Sequence, residues 1–295
     1  MKRLAIFAFY NEKGSINDYV VTYLKYLKDV SDSIIFVADN EPDNKELSKI
    51  YSLVSHIESY HHGEYDFGSY KIGFNYAKEH CILDDFDELI LCNDSCFCID
   101  SLKPALKKMS TNSCDFWSMT ASNEYKPHLQ SFFLVIKKKL FMSDEFSQYL
   151  DNVKHLDSFM EIVNSYEIPL KMTFEAEGFK GDSFIKAPKK YNPTFFPVKC
   201  INNGMPLIKR KVFIEKNACR ESLLELILKL KHSYKKSYEE ILNFFNVKSL
   251  VPIWFKFLKK NVIRFIFKIE ESSKGLVKVR FLNIPVWLHR RKGKR

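Results

Sequence analysis

Glu88-Leu89-Ile90-Leu91-Cys92-Asn93-Asp94-Ser95 carries an apolar run straight into a polar triplet. So short and continuous a run reads as a strand buried on both faces, the habit of parallel sheets. Two earlier stretches repeat it: Leu4-Ala5-Ile6-Phe7-Ala8-Phe9-Tyr10, stopping at Asn11, and Ser33-Ile34-Ile35-Phe36-Val37-Ala38, stopping at Asp39-Asn40. Between these two, Tyr19, Val20, Tyr23, Leu24 and Leu27 recur at helical spacing. Strand, helix, strand predicts a right-handed crossover.

The alternation continues outward. It predicts helices over 45–53 and 67–79, a short strand near 55–59, strands over 115–120 and 131–136, and helices over 143–150, 159–165 and 170–176. The chain reads as irregular from 188 to about 206, and amphipathic helical pattern returns beyond Ala218. The fold class is therefore α/β, a Rossmann-like and mainly parallel sheet flanked by helices, with a basic amphipathic helical C-terminal region. The boundary falls near 217, giving domains 1–217 and 218–295. In such a sheet ligands sit at the carboxyl ends of the strands, where Asn11, Asp39 and Asp94 lie.

Composition narrows the class. With 295 residues, 46% of them hydrophobic, the chain can bury a large core, and nine glycines and ten prolines exclude a fibrous or long disordered chain. The apolar start of the chain stops at Asn11-Glu12-Lys13-Gly14, too early for a signal peptide, and no run of about 18 apolar residues predicts a spanning helix. Seven cysteines, an odd number, read as reduced thiols; Cys92, Cys96 and Cys98 lack the spacing of a zinc knuckle. The expected location is the cytoplasm, at the inner face of the cell membrane. Charge is lopsided: residues 209–295 hold 23 Lys/Arg against 7 Asp/Glu, and the first 208 hold 23 against 29. A basic partner surface is thus expected in the C-terminal part.

Four segments carry chemistry. His61-His62-Gly63-Glu64-Tyr65-Asp66-Phe67-Gly68-Ser69-Tyr70-Lys71-Ile72-Gly73 combines three glycines with Asp66 near a helix start. The glycines allow close backbone approach, and a carboxylate there can accept amide hydrogen bonds. Asn93-Asp94-Ser95 offers a hard divalent cation one carboxylate, the remainder of its shell being phosphate oxygen and water. His128-Leu129-Gln130-Ser131 sets hydrogen-bonding side chains at the mouth of an aromatic strand, as sugar binding requires, although a core histidine explains it equally well. Glu167, just before Pro169, is either a helix-capping feature or a general base for an acceptor hydroxyl.

In this order the segments resemble inverting glycosyltransferases of the GT-A class, the family 2 group in particular. Val37-Ala38-Asp39-Asn40 is similar to its second-strand acidic motif, and Gly63 to Gly73 to its glycine-bearing helix start. Leu91–Ser95 stands where that group carries Asp-x-Asp, with a single carboxylate in place of two. Glu167, eleven residues before Gly178, is similar to its Glu-Asp motif, with Ile168 in place of the Asp. A closer resemblance is to the rhamnan synthesis protein F family. It rests on Tyr65-Asp66-Phe67-Gly68-Ser69-Tyr70, Asn93-Asp94-Ser95, His128-Leu129-Gln130-Ser131-Phe132-Phe133 and Gly204-Met205-Pro206-Leu207-Ile208-Lys209, within residues 1–217.

The resemblance implies transfer, with inversion, of a sugar such as L-rhamnose from a nucleotide-diphosphate donor to a lipid-linked oligosaccharide acceptor in cell-surface polysaccharide synthesis. Glu167 would be the base. Asn11, Asp39, Asp66, Gly68, Lys71, Asn93 and Asp94 would hold the donor, and His128, Gln130 and Ser131 the acceptor sugar. Asp94, its shell completed by His128, would hold Mg²⁺ or Mn²⁺.

Beyond 217, cations interleave with Trp254, Phe255, Phe257, Phe265, Phe267, Phe281 and Trp287, a pattern expected of an anionic membrane surface. An ordinary helical subdomain with a solvated basic face is the plain alternative. Two other functions compete: a catalytically silent sugar-binding scaffold, and nucleic-acid binding, for which no recognition module is visible.

Overall fold

The computed structural model describes residues 1–187, 191–215, 218–219, 222–250 and 253, and beyond them the backbone of three strands between 267 and 288. The apolar runs become the strands expected of them. β1 (Arg3–Phe9) is followed by α1 (Asp18–Lys28), β2 (Ser33–Ala38), the short α2 (Asn44–Ser48), β3 (His56–Ser59), α3 (Tyr65–Glu79) and β4 (Glu88–Asn93). These four strands run parallel in the order β3-β2-β1-β4. The chain builds outward from β1 and then returns across α3 to lay β4 on the other side of β1. That reversal opens a crevice at the carboxyl ends of β1 and β4, where open α/β sheets bind ligands. α3 comes very close to the sheet: a Cβ on Gly73 would lie 2.5 Å from Ile6 Cγ2.

The chain continues through β5 (Cys96–Cys98), α4 (Lys103–Ser110), β6 (Phe116–Ser122), β7 (His128–Leu129), β8 (Phe133–Lys137), α5 (Lys138–Phe141), α6 (Asp144–Asp151) and α7 (Phe159–Ile162). A π-helical turn, Val163–Glu167, leads into α8 (Ile168–Ala176), β9 (Gly181–Ile185), α9 (Pro197–Asn202) and β10 (Leu207–Lys209). β8 joins β4 antiparallel, β6 joins β8 antiparallel, and β9 joins β6 in parallel. Only β7 and β8 oppose the direction of the eight-stranded sheet, so the mainly parallel expectation holds. The sequence pattern missed β9 and the antiparallel pair β5–β10, because three- and five-residue strands are too short to show a period. It also overextended the second helix, which stops at Ser48.

The boundary near 217 is corrected. The chain divides into units 1–248 and 249–295, and the helices α10 (Leu223–Ser233) and α11 (Lys235–Phe245) belong to the first. α11 packs on α1: Phe244 meets the Tyr19 ring edge-on with centroids 5.1 Å apart, and Thr22 Oγ1 donates to Glu240 Oε1 at 2.6 Å. The second unit is not purely helical either. β11 (Phe267–Glu271), β12 (Val277–Phe281) and β13 (Ile284–Leu288) form an antiparallel three-stranded sheet. Val277-Lys278-Val279-Arg280-Phe281 alternates apolar and basic residues with period two, the signature of a strand. Trp254, Phe255, Phe257 and Phe265 lie outside the described residues. Among the described residues no helix is long and apolar enough to cross a membrane.

Candidate functional site

The carboxyl ends of β1, β2 and β4, with the first turn of α3, line a cavity of about 540 Å³. Small-molecule sites run from about 300 to 1,000 Å³. One side of the cavity is a clamp closed by backbone. Asp39 Oδ1 accepts the amide hydrogens of His62 and Gly63, each at 2.8 Å, and faces His61 Nδ1 at 3.0 Å. The loop can wrap the carboxylate because Gly63 takes φ +68°, a conformation that L side chains rarely adopt. Tyr65 follows with φ 56°, an uncommon strain for a bulky residue, and stands exposed at the cavity mouth with Tyr10 and Phe159. Flat ring faces beside charged groups suit a nucleobase or a sugar.

His62 is tucked behind the clamp, and burial lowers its pKa. Its Nδ1 accepts from the Glu64 amide, so Nε2 donates to Ser69 Oγ at 3.0 Å. Gly68 fits there for lack of a side chain, since a Cβ would lie 2.2 Å from Glu64 Cβ.

The opposite side is charged, and its contacts run from side chain to side chain. Asn93 Nδ2 donates to Asp66 Oδ2 at 2.6 Å, and Ser95 Oγ donates to Asn93 Oδ1. Lys209 Nζ donates to Ser95 Oγ at 2.7 Å and stands 4.5 Å from the centroid of the Phe132 ring. Asp94 Oδ2 accepts from Tyr19 Oη at 3.2 Å and pairs with Arg210 Nη2 at 3.3 Å, while Arg210 Nη1 donates to Tyr19 Oη at 2.6 Å. Burial, with the neighbouring Asp94 charge, pushes the Asp66 carboxyl up to about 7. Burial raises Asp94 as well, against the pull of Arg210. Two carboxyls in so dry a place are expensive to ionise together, and the two cations offset that cost.

Glu167 ends the π-helical turn, a distortion often found at functional sites. Its Oε2 accepts from the Ser131 amide at 2.7 Å and from Ser131 Oγ, and its Oε1 faces His128 Nε2 at 3.8 Å. His128 Nδ1 donates to the Lys126 carbonyl at 2.7 Å, which leaves Nε2 as the acceptor in the neutral ring. Glu167 is close enough to Asp66 for its charge to help raise that group.

The expected site residues therefore divide. Asp39, Asp66 and Asp94 line the cavity, and Asn93 and Gly68 stand directly behind it. Asn11 and Lys71 do not line it. Asn11 Oδ1 accepts from the amides of Lys13 and Ser15, organising its own turn, and Lys71 pairs with Glu64 and donates to the Val153 carbonyl. His128, Gln130 and Ser131 are buried and do not line it either: the first and last brace Glu167, and Gln130 Oε1 accepts from Thr120 Oγ1 at 2.8 Å.

The two residues expected to hold Mg²⁺ or Mn²⁺ have protein partners: Asp94 meets Arg210 and Tyr19, and His128 meets Lys126 and Glu167. Cys92, Cys96 and Cys98 are buried thiols.

Sequence reasoning missed Arg210, Tyr19, His61, Ser69 and the 155–159 loop with Phe159. Arg210 had a signal, standing next to the Met-Pro-Leu-Ile-Lys segment, and His61 and Ser69 lie inside the 61–73 segment already singled out.

No curated protein matches the sequence. Solved structures resemble it distantly. A cytidylyltransferase from Leptospira borgpetersenii is 14% identical over 83% of this chain and 94% of its own, with a TM-score of 0.42. A 4-diphosphocytidyl-2C-methyl-D-erythritol synthase from Anaerococcus prevotii is 12% identical over 68% and 96%, with a TM-score of 0.38. The rhamnan synthesis protein F profile matches residues 34–272, which carries the likeness past the limit of 217 expected from the motifs and into the C-terminal region. By that match over most of its length, the chain belongs to the rhamnan synthesis protein F family, and so to polysaccharide synthesis.

Proposed function

We propose that this chain is a glycosyltransferase that moves a sugar, L-rhamnose being the first candidate, from a nucleotide-diphosphate donor to a hydroxyl of a lipid-linked glycan. The observation that carries the reading is the cavity at the reversal point of the sheet, where exposed aromatic faces meet an Asp94–Arg210 pair in a family of polysaccharide synthesis. The donor's base or sugar would lie against Tyr10, Tyr65 or Phe159, with its diphosphate toward Asp94 and Arg210.

In the transfer the acceptor oxygen bonds to the anomeric carbon, and the bond from that carbon to the diphosphate oxygen breaks, leaving with its electron pair. The acceptor's proton goes to Glu167. Ser131 holds Oε2 in place, leaving Oε1, beside His128 Nε2, to receive the proton. Base catalysis of this kind contributes about 10²–10⁴-fold. The basic, aromatic C-terminal sequence would hold the enzyme at an anionic membrane surface, where a lipid-linked acceptor is found.

The test is a thermal-shift and turnover screen of the full chain against nucleoside diphosphates and their sugars, dTDP-rhamnose among them. Ligand at 100 times its dissociation constant stabilises by about 2.7 kcal/mol, a readily measured shift. Stabilisation by one nucleotide class, with release of its diphosphate when membrane extract supplies acceptor, is expected. No shift with any nucleotide would overturn the proposal in favour of a scaffold. Binding without turnover would do the same for the transfer step.

A further inference from the structure

We infer that Arg210 is the built-in cation of this site: it binds the donor's diphosphate and stabilises it as leaving group, so that donor binding needs no divalent ion. The inference rests on the proposed transfer reaction and names the group that answers the phosphate charge.

The argument begins with a strand pairing. β10 lies antiparallel to β5 with Lys209 opposite Cys96, and the Arg210 amide donates to the Ser95 carbonyl at 2.9 Å. A residue far along the chain is thereby locked onto the triplet that ends β4. Its guanidinium lines the same cavity as Asp66, Asp94 and Ser95. Two of its five N–H groups meet Asp94 and Tyr19, and the fork geometry leaves others for phosphate oxygen. Arg210 lies 5.4 Å from the Tyr19 ring centroid and 5.6 Å from that of Phe244. The guanidinium thus stands beside two rings that meet each other edge-on, at the cavity wall.

Charge points the same way. A divalent ion would need carboxylates free to ligate it, and here Asp94 already faces Arg210 while Asp66 accepts from Asn93. Among the residues that line the cavity Arg210 supplies the guanidinium, with Lys209 behind it on Ser95, so the phosphate of an entering donor meets Arg210 first. When the bond to the anomeric carbon breaks, the electron pair stays on the diphosphate oxygen, and the Arg210 N–H groups donate to it in a dry site where such bonds are strong.

Calorimetry with inorganic pyrophosphate and a panel of nucleoside diphosphates, in EDTA and again in Mg²⁺ or Mn²⁺, tests this on the full chain. Wild type should bind one nucleotide in EDTA with an affinity close to that in metal. Arg210→Gln should weaken it by about tenfold or more, and Arg210→Lys by less, since a point charge replaces the fork. Because Arg210→Gln leaves Asp94 unpaired, the double variant Asp94→Asn/Arg210→Gln controls for folding. If Arg210 served only to hold Asp94, the double variant would regain wild-type affinity, and that recovery would overturn the inference. Binding that appears only with metal would overturn it too, while leaving the transfer reading intact. Binding of no nucleotide in either buffer would defeat both.

Discussion

Asp39 and Asp94 end two strands that flank β1, and both line the same cavity, yet they are held by different chemistry. Asp39 accepts two backbone amides from a loop bent around a left-handed glycine, whereas Asp94 is met by two side chains, Tyr19 and Arg210. Backbone donors cannot be exchanged without unfolding the loop. Side-chain donors can be replaced singly by mutation with the backbone left in place. Position at a strand end therefore does not fix how a carboxylate is held; its partners do. On the proposed reading the Asp39 side of the cavity builds the site, and the Asp94 side acts in it.

The largest effect expected falls on Glu167, the proposed base. Glu167→Gln should lower sugar transfer by about 10²–10⁴-fold. It should leave the melting temperature nearly unchanged, because a glutamine oxygen can still accept from Ser131. Diphosphate release and a melting curve check both, and a melting temperature that fell with activity would move Glu167 to the building side.

On that building side, Asp39→Ala strands two amides and should cost about 2–6 kcal/mol in urea unfolding, at roughly 1–3 kcal/mol for each unpaired group. Nucleotide affinity of the folded fraction should barely change. A loss under about 1 kcal/mol would break the comparison, since the clamp would then be dispensable.

Asp66→Asn sharpens it through pH. The folded-state pKa of about 7 lies above the ordinary carboxylate range, so the native state holds its proton longer than the unfolded chain does. Stability contributed by that proton is present at pH 4 and is lost as pH rises towards and through 7. Asparagine removes this loss, so the stability of Asp66→Asn relative to wild type should grow from pH 5 to pH 8 in urea titrations. A gap that does not vary with pH would show that Asp66 is ionised throughout.

The smallest effect is at the loop itself. Gly63→Ala at φ +68° should cost about 1–2 kcal/mol by chemical denaturation, with kinetics preserved. Lost activity at unchanged stability would place this glycine on the acting side.

How much of this was legible depended on distance along the chain. β1, β2 and β4 show in the sequence because a fully buried strand must be apolar throughout, and the polar residues that stop β2 and β4, Asp39 and Asp94, line the cavity. The tail pattern was legible as helix only through α11; the alternation at 277–281 was overlooked because aromatic and basic residues also suit an amphipathic helix. Asn11 and Lys71 show how far residue type misleads. Both are chemically suited to a donor, and both are spent on local turns and ion pairs.

The sequence by itself determined the α/β class, the strand ends on which Asp39 and Asp94 stand, and the family, since these depend on local periodicity and on short motifs. Only the tertiary structure decided which partners each acid meets, because partners are assigned by packing between distant segments. The β5–β10 pairing brings Arg210 to Asp94, the loop after β3 closes on Asp39, and the π-helical turn carries Glu167 to Ser131. No local pattern encodes those meetings, for they arise when separate apolar faces are buried together and the polar ends of their strands are left to find one another.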